Sequence, residues 1–540
     1  MNKSNNMKNI TLTSLAFLFL FSCSSSISPV DDALEKQIFH YGNGSEPQGL
    51  DPHVVTGVPE HNILIGLGEG LTSSNPRGGE NLPGAAESWE ISEDGRIYTF
   101  NLQKNGKWSN GNTLTAKDFV WSWKRILTAS LGSQYPDMLY YLVGAEDYHQ
   151  EKIKDFSKVG VKAIDDFTLQ VTLNNPTPFF LGLLSHYSTW PVHKDTVLKH
   201  GTIDDRNGIW TRPGNFVGNG AFQLKTWELN NKIVVERNPF YWDAKTVKLN
   251  EIHYYPVTNI MTEDRMFRAG QLHLTYDVPA QKCPSYIKDN PNMKTDPYMG
   301  QYFYRINTNH PILKDVRVRK ALSLSIDRQK IVDRVTQCGE SAAISITPPG
   351  ANGYMPETTL EFNPEKAKML LIEAGYEDGS KLEGLEILFN TNENHRKIAL
   401  AVQQMWQQNL GVSVELVNQD WKVYLAREMI GDFTISRAGW IGDYEDPNTF
   451  LDLFRPNRGN NKTGWSNAEY DNYVEQANRT MNQKERYILL NKAEKIIMDE
   501  LPILPVYSYV KDYQISSDVK GFYPNYLDHH HPKYIYLERD

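Results

Sequence analysis

Asn363-Pro-Glu-Lys-Ala-Lys-Met-Leu-Leu-Ile-Glu-Ala-Gly375, then Leu385-Glu-Ile-Leu-Phe389, then Lys397 to Asn409, then Val412-Ser-Val-Glu-Leu-Val417 make one continuous pattern. Asn363 is a helix cap, Pro364 suits the first helical position, and Gly375 follows the last periodic residue. Ala367, Leu370, Leu371 and Ala374 mark the apolar face of this helix. Residues 385–389 read as a strand. A second helix covers about 397–409, with Ile398, Ala401, Val402 and Met405 on one side, and Gly411 ends it. Residues 412–417 alternate apolar and polar, the period of a strand. Strand, helix and strand at this spacing form a βαβ unit, so a parallel strand pair is expected, with His395 just before the second helix.

Working outward, strands are expected at 96–103, 167–173 and 232–236, and helices at 118–126 and 316–335. The mixture indicates α/β architecture. A length of 540 residues implies several domains at ~150 residues each. Aromatic residues make up 11% and are spread along the chain, which fits either a ring-lined groove or a large β-rich core.

Near the N-terminus, Lys3 and Lys8 precede an uncharged apolar run, 10–21, that ends at Ser22-Cys23. A basic start, an apolar stretch and a small residue before the cut describe a secretory signal, shorter than the ~20 residues of a bilayer span. Leu20-Phe21-Ser22-Cys23 resembles the lipobox of bacterial lipoproteins, in which the cysteine is diacylated; ordinary signal cleavage nearby is the alternative. Serine-rich residues 24–29 read as a flexible tether. Removing residues 1–22 takes away two lysines and no acids, moving the net charge from −9 to −11. So acidic a chain lacks the basic face that nucleic acid requires.

With Cys23 lipidated, Cys283 and Cys338 remain. An extracytoplasmic compartment would permit a disulfide, but a chain of this size does not need one, and two free buried thiols are the expectation. His529-His530-His531 cannot all face one ion from a regular strand, because neighbours point to opposite sides, so a solvated loop and no metal site are expected. No Gly-x-Ser-x-Gly elbow, His-Glu-x-x-His helix or phosphate loop occurs.

Ala86-Glu-Ser-Trp89, Tyr98-Thr-Phe-Asn-Leu102, Lys107-Trp-Ser-Asn-Gly111 and Thr115-Ala-Lys-Asp-Phe-Val-Trp-Ser-Trp123 follow one another in the first quarter of the chain. Gly160-Val-Lys-Ala-Ile-Asp-Asp166, Gly218-Asn-Gly-Ala-Phe222, Asp315-Val-Arg-Val-Arg-Lys-Ala321 and Leu504-Pro-Val-Tyr507 come after. The series resembles bacterial extracellular solute-binding proteins of family 5, the periplasmic oligopeptide-binding proteins of ABC importers, over nearly the whole mature chain. The resemblance implies an α/β, type II periplasmic-binding-protein (Venus-flytrap) fold with three lobes and mixed sheets flanked by helices. Behind a signal peptide at 1–22 and a lipid-anchored tether at 23–35, lobe I would comprise 36–68, 196–299 and 511–540. Lobe II would be 69–195 and lobe III 300–510.

A peptide of any sequence offers an ammonium, a carboxylate and backbone groups, which a tolerant binder reads by strand addition, a buried acid and a cation. Arg437-Ala-Gly-Trp-Ile-Gly-Asp443 matches the family motif, implying that Asp443 binds the α-amine. By spacing alone, Asp443 with Glu445 and Asp446 also reads as an acidic surface turn before Pro447. The resemblance places Arg437 at the ligand carboxylate, a task its planar fork suits. It assigns His395 to the carboxylate of peptides of another length, near a helix N-terminus that favours anions; simple capping is the alternative. Trp421 and Trp440 match pocket aromatics, and Gly439 a backbone position facing the ligand. Thr56 and Val58 lie on 54–59, which resembles the strand pairing with the ligand backbone. Tyr135 and Phe303 match groove positions, with core packing the alternative for every aromatic. A lysine used by some relatives is replaced by Arg334 or Thr336, and two cysteines that bridge one relative correspond to Gly300 and Ile441.

The resemblance thus implies a substrate-binding lipoprotein of a peptide ABC transporter, not an enzyme, with no cofactor and no metal. It would capture short oligopeptides by backbone and termini, close around them, and deliver them to a membrane permease. A monomer is expected in the periplasm or at the cell surface, membrane-anchored through lipidated Cys23. Alternatives keep the fold but bind dipeptides, murein peptides, nickel chelates or haem, or use it as a surface sensor or adhesin. Paired carboxylates such as Asp443 and Asp446 would also suit glycoside hydrolysis.

Overall fold

A computed structural model describes residues 28–377 and 379–540; the expected signal peptide, Cys23 and the start of the tether lie outside the described residues. The rest of the expected tether is a helix, Pro29–Lys36, with the Ser28 side chain accepting from the Asp31 N–H and Asp31 and Asp32 in its first turn. Val30 and Ala33 are buried beneath it, and Arg539 pairs with Asp31 at 2.8 Å. A capped first turn and an apolar stripe turn this segment from a tether into part of the body.

Three larger sheets carry the molecule. The first has the order Ile38–Gly42, Glu251–Tyr255, Lys232–Arg237, Phe222–Glu228 and is parallel at its first pair, antiparallel beyond. The second is antiparallel: Ala86–Ile91, Ile97–Leu102, Thr168–Thr172, Val161–Ala163. The third has six strands in the order Ser341–Ala342, Ile503–Gln514, Met293–Ile306, Ile435–Ile441, Glu386–Asn390, Glu415–Gln419. Alternation explains the inward faces: Tyr98, Phe100 and Leu102 are buried while Ile97 and Asn101 are exposed.

The βαβ unit is present. Glu386–Asn390 pairs in parallel with Glu415–Gln419 across the helix Glu393–Leu410. That helix begins earlier than the sequence suggests, because Asn392 caps it, so His395 lies in its first turn rather than before it. Its buried stripe is Ile398, Ala399, Val402, Trp406 and Leu410, with Ala401 and Met405 at the flank. The expected 316–335 helix is broken: Asp327 caps a new turn, leaving helices Val316–Leu324 and Arg328–Ile331 followed by a π turn.

Two large apolar cores result. One gathers Phe39, Phe100, Trp123, Phe222 and Tyr254; the other gathers Tyr304, Leu322, Ile387, Trp406 and Leu504. The long antiparallel pair Met293–Ile306 and Ile503–Gln514 runs from one to the other: Tyr513 belongs to the first core, Tyr302 and Leu504 to the second. Its register shifts between Pro297 and Gln301, where the pair passes between them.

Cys283 and Cys338 form a disulfide, which corrects the expectation of free thiols. The start of the helix Cys283–Asp289 and the turn after Thr336 meet in a small core with Val278 and Met293, bringing the two Cα atoms to 5.1 Å. Closing a segment of 55 residues, the bridge is expected to contribute about 4 kcal/mol. Urea unfolding of the Cys283→Ser, Cys338→Ser double variant should show that loss, and thiol titration of the denatured lipid-free chain should find no free thiol; two free thiols per chain would refute the bridge.

Candidate functional site

Between the two cores lies a cavity of ≈ 300 Å³ with walls from both. Its second-core wall is set by Ile435–Ile441, held in register between Met293–Ile306 and Glu386–Asn390. Arg437 stands on this strand, and the chain leaves it at Asp443. The Asp443 N–H donates to Thr449 Oγ1 at 3.1 Å, and Oδ1 lies 3.3 Å from His186 Nε2, on the opposite wall. Ser188 N–H points at His186 Nδ1 at 3.4 Å, which leaves Nε2 to donate to Asp443. Asp443 Oδ2 is buried and has no hydrogen-bond partner among the described residues. Tyr135 and Tyr187 pack on His186, with ring centroids 4.8 and 4.1 Å away. Burial, and then the Asp443 charge, pushes both phenols well above their ordinary value.

Arg437 Nη2 donates to the Tyr509 hydroxyl at 2.7 Å and Nη1 to Asn390 Oδ1 at 3.4 Å, while the guanidinium lies 4.8 Å over the Tyr302 ring. Its Nε is buried without a partner, and no carboxylate of the described residues pairs with it. His395 donates its backbone N–H to the Asn392 cap at 3.2 Å, and its Nδ1 is buried and unpartnered. Burial, reinforced by the Arg437 charge, holds its imidazole well below the ordinary value, so the ring is neutral. At Gly439 a Cβ would sit 2.7 Å from Tyr509 Oη and 3.4 Å from Arg437 Nη2, so a side chain would displace the Arg437–Tyr509 contact.

Trp440 and Trp421 also line the cavity, the first donating to Thr449 Oγ1 at 3.2 Å, the second to Glu60 Oε1 at 3.4 Å. Thr56, Val58 and Tyr135 are on the wall as well. Residues 54–59 are not a strand, however: Gly57 caps the helix Val58–Leu67, and Pro59 presets its first turn. Phe303 is not at the cavity. It shares a strand face with Arg305, whose guanidinium lies 5.9 Å over its ring, and is fully buried in the second core behind that arginine. Arg334 is exposed and Thr336 is held by Glu340 at 2.9 Å, and neither reaches the wall.

The three histidines are not in a solvated loop: His529 and His531 are buried and His530 is half-buried. His529 and His531 lie against Ser74 and Ser73 at 3.1 and 3.4 Å, and His530 stacks on Phe522 and meets Asp528 at 2.6 Å. Asp446 is gripped by Arg486 at 2.7 and 2.5 Å inside the fold, so it is no free partner for Asp443 in hydrolysis. Sequence reading missed His186, Tyr509 and Asn390, because each reaches the site from a distant segment and none belongs to a local motif.

A cavity shut between two packed bodies, with unpaired charge on its wall, defines a protein that clasps a ligand. Residues 81–462 match the family described as "Bacterial extracellular solute-binding proteins, family 5 Middle". The periplasmic oligopeptide-binding protein OppA of Escherichia coli (strain K12) is 40% identical over 90% of this chain and 90% of its own. The Haemophilus influenzae OppA complex with RPPGFSPFR superposes with a TM-score of 0.88, at 35% identity over 94% of this chain and 99% of that chain. The Escherichia coli murein tripeptide binding protein MppA also scores 0.88, at 36% identity over 94% and 100% of the two chains, whereas its unliganded open form scores 0.63. The two bodies are therefore arranged as in the peptide complex, not as in the open form.

The chain belongs to family 5 of the bacterial extracellular solute-binding proteins. Its fold is the three-lobed Venus-flytrap form of periplasmic binding proteins, and the family consists of binding proteins rather than enzymes.

Because no carboxylate of the described residues pairs with Arg437, a neutral replacement should stabilise the ligand-free protein. Arg437→Met should raise its unfolding free energy by about 1 kcal/mol in urea titration. A loss of comparable size would mean that the charge is already paired inside the protein.

Proposed function

We propose that this chain captures short peptides, holding the free amine at Asp443 and the terminal carboxylate at Arg437, with His395 serving another ligand length. One observation carries the reading: an unpartnered buried carboxylate oxygen and a buried guanidinium without a carboxylate face one cavity. A zwitterionic peptide supplies both missing charges, and its amide groups find aromatic and backbone surfaces at Trp421, Trp440, Gly439, Tyr135, Thr56 and Val58. We place lobe I at 36–68, 196–299 and 511–540, lobe II at 69–195 and lobe III at 300–510, with Met293–Ile306 and Ile503–Gln514 as the connection. Ligand bridging the two walls then favours the closed form, and a membrane permease of the ABC type receives it. Anchoring through lipid on Cys23 fits the basic start, apolar run and Ser22-Cys23 junction.

Murein peptides are the second reading, favoured by the likeness to MppA at 36% identity. Calorimetric titration of the lipid-free protein, unfolded and refolded to remove carried ligand, tests both with di- to pentapeptides and murein tripeptide. Free-amine peptides should bind, and N-acetylation or Asp443→Ala should each weaken them about 100-fold, the loss of one charge-assisted contact. Binding that survives both changes would refute the role of Asp443, and binding of murein tripeptide alone would favour the second reading.

A further inference from the structure

A third charge on the cavity wall lacks its opposite. Lys462 lies beside Asn460 on the loop after Phe454, and its ammonium donates to the carbonyl oxygen of Gly459. No carboxylate of the described residues is in ion-pair contact with it. The acid that shares this wall, Glu428, is already taken: it pairs with Arg305 and accepts from Ser436 Oγ at 2.7 Å. Arg305 and Lys462 thus share the Glu428 carboxylate, and the further charges of Arg206 and Asp137 act on Lys462 in opposite directions, which leaves positive charge in excess in this part of the cavity. Burial, and then the Arg305 charge, depresses the Lys462 amine to about 8, the response of an ammonium with too little solvation and too few anions. The surplus sits at a seam between the walls, where Asn460 Nδ2 donates to Gln134 O at 3.1 Å and a Cβ on Gly459 would lie 2.3 Å from that oxygen. A group held there would be covered when the walls meet.

We propose that Lys462, with Arg305 behind it, forms a subsite for an acidic side chain of the bound peptide, so that the protein prefers ligands carrying Asp or Glu. The proposal rests on the peptide reading above and adds a side-chain preference to it. Arg437 takes the terminal carboxylate, and Lys462 needs a second one. Neutral side chains would leave the ammonium unpaired, and basic ones would repel it.

The test uses alanine tri-, tetra- and pentapeptides in which each position in turn is Glu, Gln or Lys, titrated against the wild type, Lys462→Met and Lys462→Glu. At one position wild type should bind Glu about tenfold tighter than Gln, as expected for one charge-assisted contact. Lys462→Met should abolish that preference, and Lys462→Glu should favour Lys over Gln instead. A merely structural lysine would not invert selectivity. Binding of tri-alanine without any Glu preference, or a Glu preference that persists in Lys462→Met, overturns this inference alone. C-terminally amidated peptides separate the other source: an amidation penalty that vanishes in Lys462→Met, with no side-chain preference, would put the terminal carboxylate at Lys462 and also overturn it. Failure of every peptide, tri-alanine included, overturns it together with the peptide reading.

Discussion

A charge removed from water needs an opposite charge or a full set of hydrogen bonds; among the described residues no carboxylate meets Arg437, and Asp443 Oδ2 is left without a partner. That omission organises the rest of the molecule. Arg437 is held by Tyr509, Asn390 and the face of Tyr302, all neutral, so its orientation is fixed without its charge being cancelled. Asp443 is oriented through His186 on one oxygen and left open on the other. Arg437 stands on a strand at the centre of a six-stranded sheet, and Asp443 follows two residues after that strand ends, its backbone N–H tied to Thr449 Oγ1 at 3.1 Å.

The second consequence is motion. Contacts join the two walls: His186 reaches Asp443 across the cavity, Trp421 reaches Glu60, and Asn448 reaches Tyr141 at 3.2 Å. In a closed but empty cavity the Arg437 guanidinium and the open Asp443 oxygen would be desolvated without full partners, which disfavours closure until a ligand supplies them. The strand pair Met293–Ile306 and Ile503–Gln514, with its register shift between the two cores, is the covalent route between the bodies. The disulfide from Cys283 to Cys338 lies beside that route in a small core of its own.

Much of this was legible in the sequence, and the parts that were not share a cause. The parallel pair around 386–419 followed from periodicity and caps, because those signals are local. The Arg437–Asp443 motif located one wall, and nine of the ten expected contact residues line the cavity. Phe303 lies outside the cavity because its ring packs into the second core behind Arg305, and 54–59 is no strand because Gly57 and Pro59 start a helix there. His186, Tyr509 and the Cys283–Cys338 bridge depend on segments brought together by tertiary packing, about which spacing is silent. The histidine triplet reads as polar and exposed until the C-terminal segment is seen folding back onto Ser73 and Ser74.

A crystal structure of the refolded, lipid-free protein with a defined alanine tripeptide would be the most direct test of the central claim. The account predicts the ligand ammonium within hydrogen-bond distance of Asp443 Oδ2 and a carboxylate oxygen on the Arg437 guanidinium, with the two walls closed. A tripeptide bound in the reverse direction, or one whose termini meet neither residue, would contradict it.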